Sequence, residues 1–263
     1  MSPEKGEADL ARIQERMDRL GIDPRLKDYV TRSIRFHTHP APGVLIAVFM
    51  VDYALELLGA TPGERLYAVC ETRKCAPDPV QVILGCTTGN KGLQVLPIGR
   101  FALTLNRPSD GPTSDGVRVY VDPVKVKAFP AIRAWYTNAP GFDKKKQEGA
   151  LTDEIFRAGR EILSFKRVRM KVPGKEKWEA ALCSCCGEMV PGDLLEDGAC
   201  SGCGSRPCYA GPVDRGAVLG FCGKLSLPIF HVPTATGPDF TSCAVAPRQL
   251  VHVSVAMCNA FVP

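Results

Sequence analysis

The apolar positions of this chain change period several times, and each change marks an element. Ile13, Met17 and Leu20 recur at helical spacing in a charged opening segment, and Gly21 ends that helix. Asp23-Pro24 supplies an N-cap and a first-turn proline for a second helix, so residues 1–35 read as two short helices with packing and capping roles. Val44, Leu45, Ile46, Val48, Phe49, Met50, Val51, Leu55, Leu57 and Leu58 are apolar almost all round, which predicts a buried helix from about Pro42 to Leu58, stopped by Gly59. Strand-like runs follow. Residues 65–71 predict a strand, Pro79 opens a short helix with Asp78 as its N-cap, and residues 93–98 and 100–107 form two consecutive strands. A polar hairpin loop covers 107–116, with the return strand at 116–121. A helix broken at Pro130 is predicted over 122–136, and a second over 152–163 with Thr152 as its N-cap. A half-exposed basic strand over 165–172 carries Lys166, Arg167, Arg169 and Lys171.

Length and composition bound the answer. The 263 residues are 45% hydrophobic and 23% charged, which fits one sizeable core plus one small module. A net charge of +5 neither demands nor excludes nucleic acid. The longest apolar run, Val44 to Val51, is far short of the roughly 20 residues of a membrane span. The charged first 20 residues contain no apolar signal region, so a cytoplasmic protein is expected. In that compartment twelve cysteines point to metal or thiol chemistry rather than disulfides. The last 60 residues carry only six charges against 55 in the first 203, and they read as an irregular, weakly ordered tail.

Two stretches carry chemistry. The first is Phe36-His37-Thr38-His39-Pro40-Ala41-Pro42-Gly43. Prolines push the residues before them towards extended geometry, so His37, His39 and Ala41 are expected to share one face beside the N-terminus of the core helix. The free N–H groups and dipole there favour an anion, a thiolate or a metal-bound hydroxide. The second is Cys183-Ser-Cys185-Cys186-Gly187 followed by Cys200-Ser-Gly-Cys203. The pairs Cys183/Cys186 and Cys200/Cys203 are each C-x2-C, with 13 residues between them, the spacing of a four-thiolate structural zinc site. So short a unit cannot bury a core, and its folding should require zinc. The glycines between Gly85 and Gly92 lack the order of a phosphate-binding loop. Three segments result: a core over 1–172, a finger over 173–207 and a tail over 208–263.

These motifs resemble the FmdE family, named after one of the subunits of molybdenum or tungsten formylmethanofuran dehydrogenase. His37-Thr-His39-Pro-Ala41-Pro42-Gly43 resembles the family's His-x-His-x-Cys-Pro-Gly. Cys75-Ala-Pro-Asp78-Pro-Val-Gln81, followed by Gly85-Cys86-Thr87-Thr-Gly89, resembles its second motif, and Phe101 to Arg107 its next strand. The resemblance covers about residues 25–203. It implies an α+β fold, with an antiparallel sheet packed on the long buried helix and a small treble-clef-like zinc finger. It also implies a homodimer, molybdenum or tungsten oxidoreductase subunits as partners, and a role in one-carbon metabolism. Ala41 stands where the family has Cys. His37, His39 and Cys75 are then the candidate catalytic or second-metal residues, with Asp78, Gln81, Cys86, Asn106 and Arg107 as candidate cofactor-binding ones. The alternative is a zinc-finger binding module for nucleic acid or a protein partner, with a degenerate core.

Overall fold

The computed structural model describes residues 3–171 and 179–204. The chain divides into two compact units, Met1–Gly174 and Lys175–Pro263. The tail expected over 208–263 lies outside the described residues, as do both ends of the expected finger.

The first unit opens with helices α1 (Pro3–Arg19) and α2 (Pro24–His37). The Asp23 side chain accepts hydrogen bonds from the N–H groups of Arg25 and Leu26, as the Asp-Pro pair predicts. Helix α3 (Pro42–Leu58) follows with Pro42 in its first turn. Thirteen of its 17 residues are buried, and it packs against α2, against β3 (Ala102–Asn106) and β4 (Thr113–Val121), and against α4 (Pro77–Leu84) and α6 (Lys144–Ala158). The buried acid in this apolar helix is accounted for: Asp52, 3% exposed, pairs with Arg25 at 2.9 Å and with Arg160.

The sheet has five strands in the order β2-β1-β3-β4-β5, with β1 at Tyr67–Cys70, β2 at Leu93–Val95 and β5 at Leu163–Lys171. Three of its pairings are antiparallel, but β1 and β2 run parallel, so the sheet is mixed rather than antiparallel as expected. The reason is the connection: α4 lies between β1 and β2 and carries the chain back across, as parallel neighbours require. Strand β3 is central and buried at all five positions. β5 is paired with β4 over nine residues and exposes its basic side chains, as predicted; Arg169 pairs with Asp115, and Arg167 reaches the Leu57 carbonyl.

Several boundaries move for local reasons. Asp78 does not cap α4; that helix starts at Pro77 with Ala76 at the cap position, and the Asp78 carboxylate is used elsewhere. Pro130 opens α5 (Pro130–Tyr136) instead of breaking a helix, as its ring suits a first turn. Thr152 is interior to α6, whose cap is Asp143, bonded to the N–H groups of Lys145 and Lys146. The run Lys144 to Lys146 is therefore a helical turn, although its side chains are exposed.

At the C-terminal end of α3, Gly59 takes φ 62°, and the N–H of Ala60 bonds the Leu55 carbonyl at 2.9 Å, a left-handed helix stop. The Arg107 guanidinium completes it, donating to the carbonyls of Leu58 (2.9 Å) and Gly59 (2.7 Å) and to Glu64. Replacing Arg107 with Ala is expected to lower the unfolding free energy by about 1–2 kcal/mol, since charged hydrogen bonds to two carbonyls are lost at a partly exposed site. A shift of the urea midpoint at unchanged slope measures it; an unmoved midpoint would remove the capping role.

Candidate functional site

Helix α2 ends at His37, and Thr38 leaves it in the left-handed conformation, φ 71°. The segment 37–41 is therefore a helix terminus and a turn, not the extended strip that alternation of prolines predicted. Ala41, with φ −84° and ψ 140°, keeps extended geometry, and it is buried as the N-cap residue of α3. The turn brings the two histidine rings together instead, their centroids 4.5 Å apart at 40°.

Against this turn the chain places the segment before α4. Cys75 has φ 53°, and the N–H of Ala76 reaches back to the Lys74 carbonyl at 2.5 Å, so Cys75 sits at the centre of a tight γ-turn. A side chain is rarely held there, and such strain is retained where the surroundings impose it. The Asp78 carboxylate meets His37 Nδ1 at 2.5 Å, and His37 Nε2 faces Cys75 Sγ at 4.0 Å. The imidazole thus bridges a carboxylate and a thiol. Position 43 must be glycine: a Cβ there would lie 2.9 Å from Cys75 Cβ and 3.0 Å from its sulfur.

Burial pushes the Cys75 thiol up, and the Asp78 charge adds to this, while Lys144 and Lys74 oppose it. Burial pushes His39 down, helped by His37 and Lys144. Lys144, in the first turn of α6, thus acts on both residues from a distant part of the chain. Long-range pairing of that kind carries no sequence period. Phe101 borders the same space, 3.4 Å from the position a Cβ of Gly43 would take.

The remaining candidates are dispersed. Gln81 lies one turn beyond Asp78 on α4, half-buried. Cys86 follows the far end of α4, donates to the Leu66 carbonyl at 3.2 Å, and lines a separate cavity of about 370 Å³ with Arg65, Tyr67 and Asn90. Burial pushes its thiol to about 11. Asn106 is buried and donates to the Arg107 carbonyl. Arg107 itself caps the C-terminus of α3, about 25 Å of helix away from His37 at 1.5 Å per residue. Thus His37, His39, Cys75 and Asp78 come together, whereas Cys86, Asn106 and Arg107 do not join them.

In the second unit, β6 (Ala180–Leu182) pairs with β7 (Met189–Pro191), and β8 (Leu195–Glu196) with β9 (Ala199–Cys200). The ligand atoms of Cys183, Cys186, Cys200 and Cys203 all lie within 4.8 Å of one another. Tetrahedral zinc with bonds of about 2.3 Å needs sulfurs about 3.8 Å apart, so the cluster has the right dimensions for zinc. Its electrostatics agree. Backbone N–H groups of Cys186, Cys200 and Cys185 pull Cys183 down to about 6, while the sulfurs of Cys186 and then Cys200 push Cys203 up. The four thiols cannot all ionise without a cation. Gly187, φ 72°, supplies the knuckle turn. Among the described residues this is the one group of three or more His, Cys, Asp or Glu ligand atoms so closely gathered. The residues after Gly204, which decide whether the finger is a treble clef, lie outside the described ones.

Comparisons with known proteins agree with this layout. The model of the family described as "FmdE, Molybdenum formylmethanofuran dehydrogenase operon" matches residues 36–170, which contain the whole core site. A crystal structure of an FmdE-like protein of the tungsten formylmethanofuran dehydrogenase type, from Syntrophus aciditrophicus, is similar, with 37% identity and a TM-score of 0.58, covering 70% of this chain and 94% of that one. A protein from Archaeoglobus fulgidus named "Probable S-adenosyl-L-methionine-binding protein" is 30% identical over 212 residues. That match takes in 74% of this chain but only 57% of the relative, so the chain spans little more than half its length. No described helix is long and apolar enough to cross a membrane.

Two measurements check the site. Purified protein is expected to carry one zinc per chain, lost in Cys200→Ser, while the helical circular dichroism from α1–α6 stays unchanged; retention of the zinc would displace these four ligands. His39 gives a pH dependence. Its folded-state pKa lies below the ordinary 6.5, so the unfolded chain binds more protons, and stability falls as pH drops through and below 6.5. His39→Gln is expected to flatten that part of the stability–pH curve, and an unaltered slope would contradict the shift.

Proposed function

The chain belongs to the FmdE family, and on that premise we propose that it is a subunit or accessory protein of a formylmethanofuran dehydrogenase-type molybdenum or tungsten system, acting through the site at the N-terminus of α3. The observation that supports this reading most is that the family match begins at Phe36 and so encloses His37, His39, Cys75 and Asp78, the polar groups gathered in the core. The finger is structural in this reading: zinc ties β6–β9 together and takes no part in the chemistry. Family membership alone does not fix a reaction, so the site has to carry it.

A core metal is a narrower matter. His37 Nε2 and Cys75 Sγ face each other, and Asp78 would orient His37 in the manner of an outer-shell carboxylate. Two converging donors fall short of the three protein ligands of a catalytic zinc site, and Ala41 offers no thiol. A second ion in the core therefore needs a donor from a substrate or partner. The reading includes a cytoplasmic homodimer, on the strength of thiol-rich composition and family resemblance.

A second reading follows from the Archaeoglobus relative's name: the core unit binds S-adenosyl-L-methionine. Titration calorimetry with that compound separates the two, since saturable binding abolished by Asp78→Ala favours the second. For the first, the chain is expected to co-elute with a purified molybdenum or tungsten formylmethanofuran dehydrogenase from the same source and to change its turnover. Gly43→Ala, which drives a methyl into Cys75, should abolish the change in turnover. Neither co-elution nor altered turnover with the unsubstituted chain would refute the reading.

A further inference from the structure

We propose that Cys75, His37 and Asp78 act as nucleophile, base and orienting carboxylate, and that Cys75 accepts the acyl group of small activated carbonyl donors as a thioester. The proposal rests on the reading that this cluster is the functional site and goes beyond it by assigning a reaction class.

The connectivity carries it. Asp78 holds His37 Nδ1 at 2.5 Å, which fixes the tautomer with the proton on Nδ1 and leaves the Nε2 lone pair facing Cys75 Sγ at 4.0 Å. That order, carboxylate to imidazole to thiol, is the signature of an activated nucleophile, and the last contact is often loose before substrate binds. The three residues come from two separate elements, the end of α2 and the entry to α4, so no local turn rule brings them together. Cys75 is half-buried and projects from a positive-φ turn. Its thiol is pushed up by burial, so it rests protonated and needs a base at the moment of attack.

The surroundings define the electrophile. Gly43 lies directly against the sulfur, since a Cβ there would stand 3.0 Å from Sγ. It is the second residue of α3, so its N–H has no acceptor within the helix, and Pro42 before it has no N–H at all. A free N–H on the residue that packs against Cys75, at the positive end of a 17-residue helix, suits the oxyanion of a tetrahedral carbonyl adduct. Phe101 stands beside the same glycine, its ring 3.4 Å from the position a Cβ there would take, which favours a short acyl group.

The step balances without an oxidant or a metal. The Cys75 S–H proton passes to His37 Nε2 as the sulfur attacks the carbonyl carbon. The bond from that carbon to its alcohol or thiol leaving group then breaks, and the leaving group takes the proton from His37. The products are the Cys75 thioester, the free alcohol or thiol, and a neutral imidazole.

The test uses the full zinc-loaded chain and p-nitrophenyl acetate. One equivalent of p-nitrophenol per chain is expected in a burst, with the acetyl group found by mass spectrometry on the peptide that contains Cys75. His37→Gln should slow this acylation by about 100-fold or more. Added imidazole should restore it in His37→Gly, a rescue that a merely structural histidine would not show. Asp78→Asn should slow it at least about tenfold, with recovery in Asp78→Glu. Unchanged circular dichroism establishes that each variant is folded. An unmodified Cys75 peptide in the unsubstituted chain, or equal rates in folded His37→Gln, would overturn the proposal. Acylation is read on the isolated chain, so its success without oxidoreductase binding leaves this inference standing while the accessory-protein reading falls, and the converse holds.

Discussion

Burial of α3 is the constraint on which the first unit depends. A 17-residue helix with 13 buried residues removes most of its side chains from water, and it takes its N-terminal end into the protein while its last turn stays partly exposed. Four N–H groups at one end and four carbonyls at the other have no partner within a helix. At the C-terminal end the solution is purely structural: a left-handed Gly59 and the guanidinium of Arg107. At the N-terminal end no side chain caps the helix, because Ala41 has nothing to offer. Pro42 removes one donor, and Cys75 packs against the next residue, Gly43. The end left without a cap is the end where the polar chemistry collects.

That asymmetry explains how the sequence could be read. The long helix, its two glycine and proline boundaries, and the zinc cluster were all legible, because each is encoded in a contiguous run or a fixed spacing. The mixed sheet was less so. Strand direction depends on where α4 carries the chain, and a four-residue strand such as β1 has no period that reveals it. Asp78 shows the limit most clearly. As a residue beside Pro77 and Pro79 it reads as a cap, and local rules favour that role. In the structure its carboxylate has a stronger claimant, His37, 41 positions away. Thr152 failed as a cap for the opposite reason: Asp143 captures the N-terminus of α6 earlier, and the lysine run simply joins the helix. Asn106 and Arg107 sit in a family-like strand, yet the strand delivers them to the wrong end of α3 to join the histidines.

The two sulfur sites illustrate different uses of the same atom. In the finger, backbone N–H groups lower one thiol, neighbouring sulfurs raise another, and only a cation can settle four negative charges in so small a space. There the thiolates are spent on structure. Cys75 has one imidazole, one carboxylate behind it, and burial that keeps it protonated at rest. Among the described residues it belongs to no close group of three or more ligand atoms, in contrast to the finger cysteines.

Ala41 also shapes this end of the helix. A residue with a liganding side chain at that position would stand at the N-cap of α3, beside the same helix terminus that Cys75 occupies through Gly43. Alanine there leaves the helix N-terminus facing a single sulfur, and Asp78 leaves His37 one nitrogen to use. With His37 between Asp78 and Cys75, the side chains gathered at this end form one line from carboxylate to imidazole to thiol. The buried helix fixes that arrangement, since neither the γ-turn at Cys75 nor the close approach at Gly43 persists unless α3 holds its position.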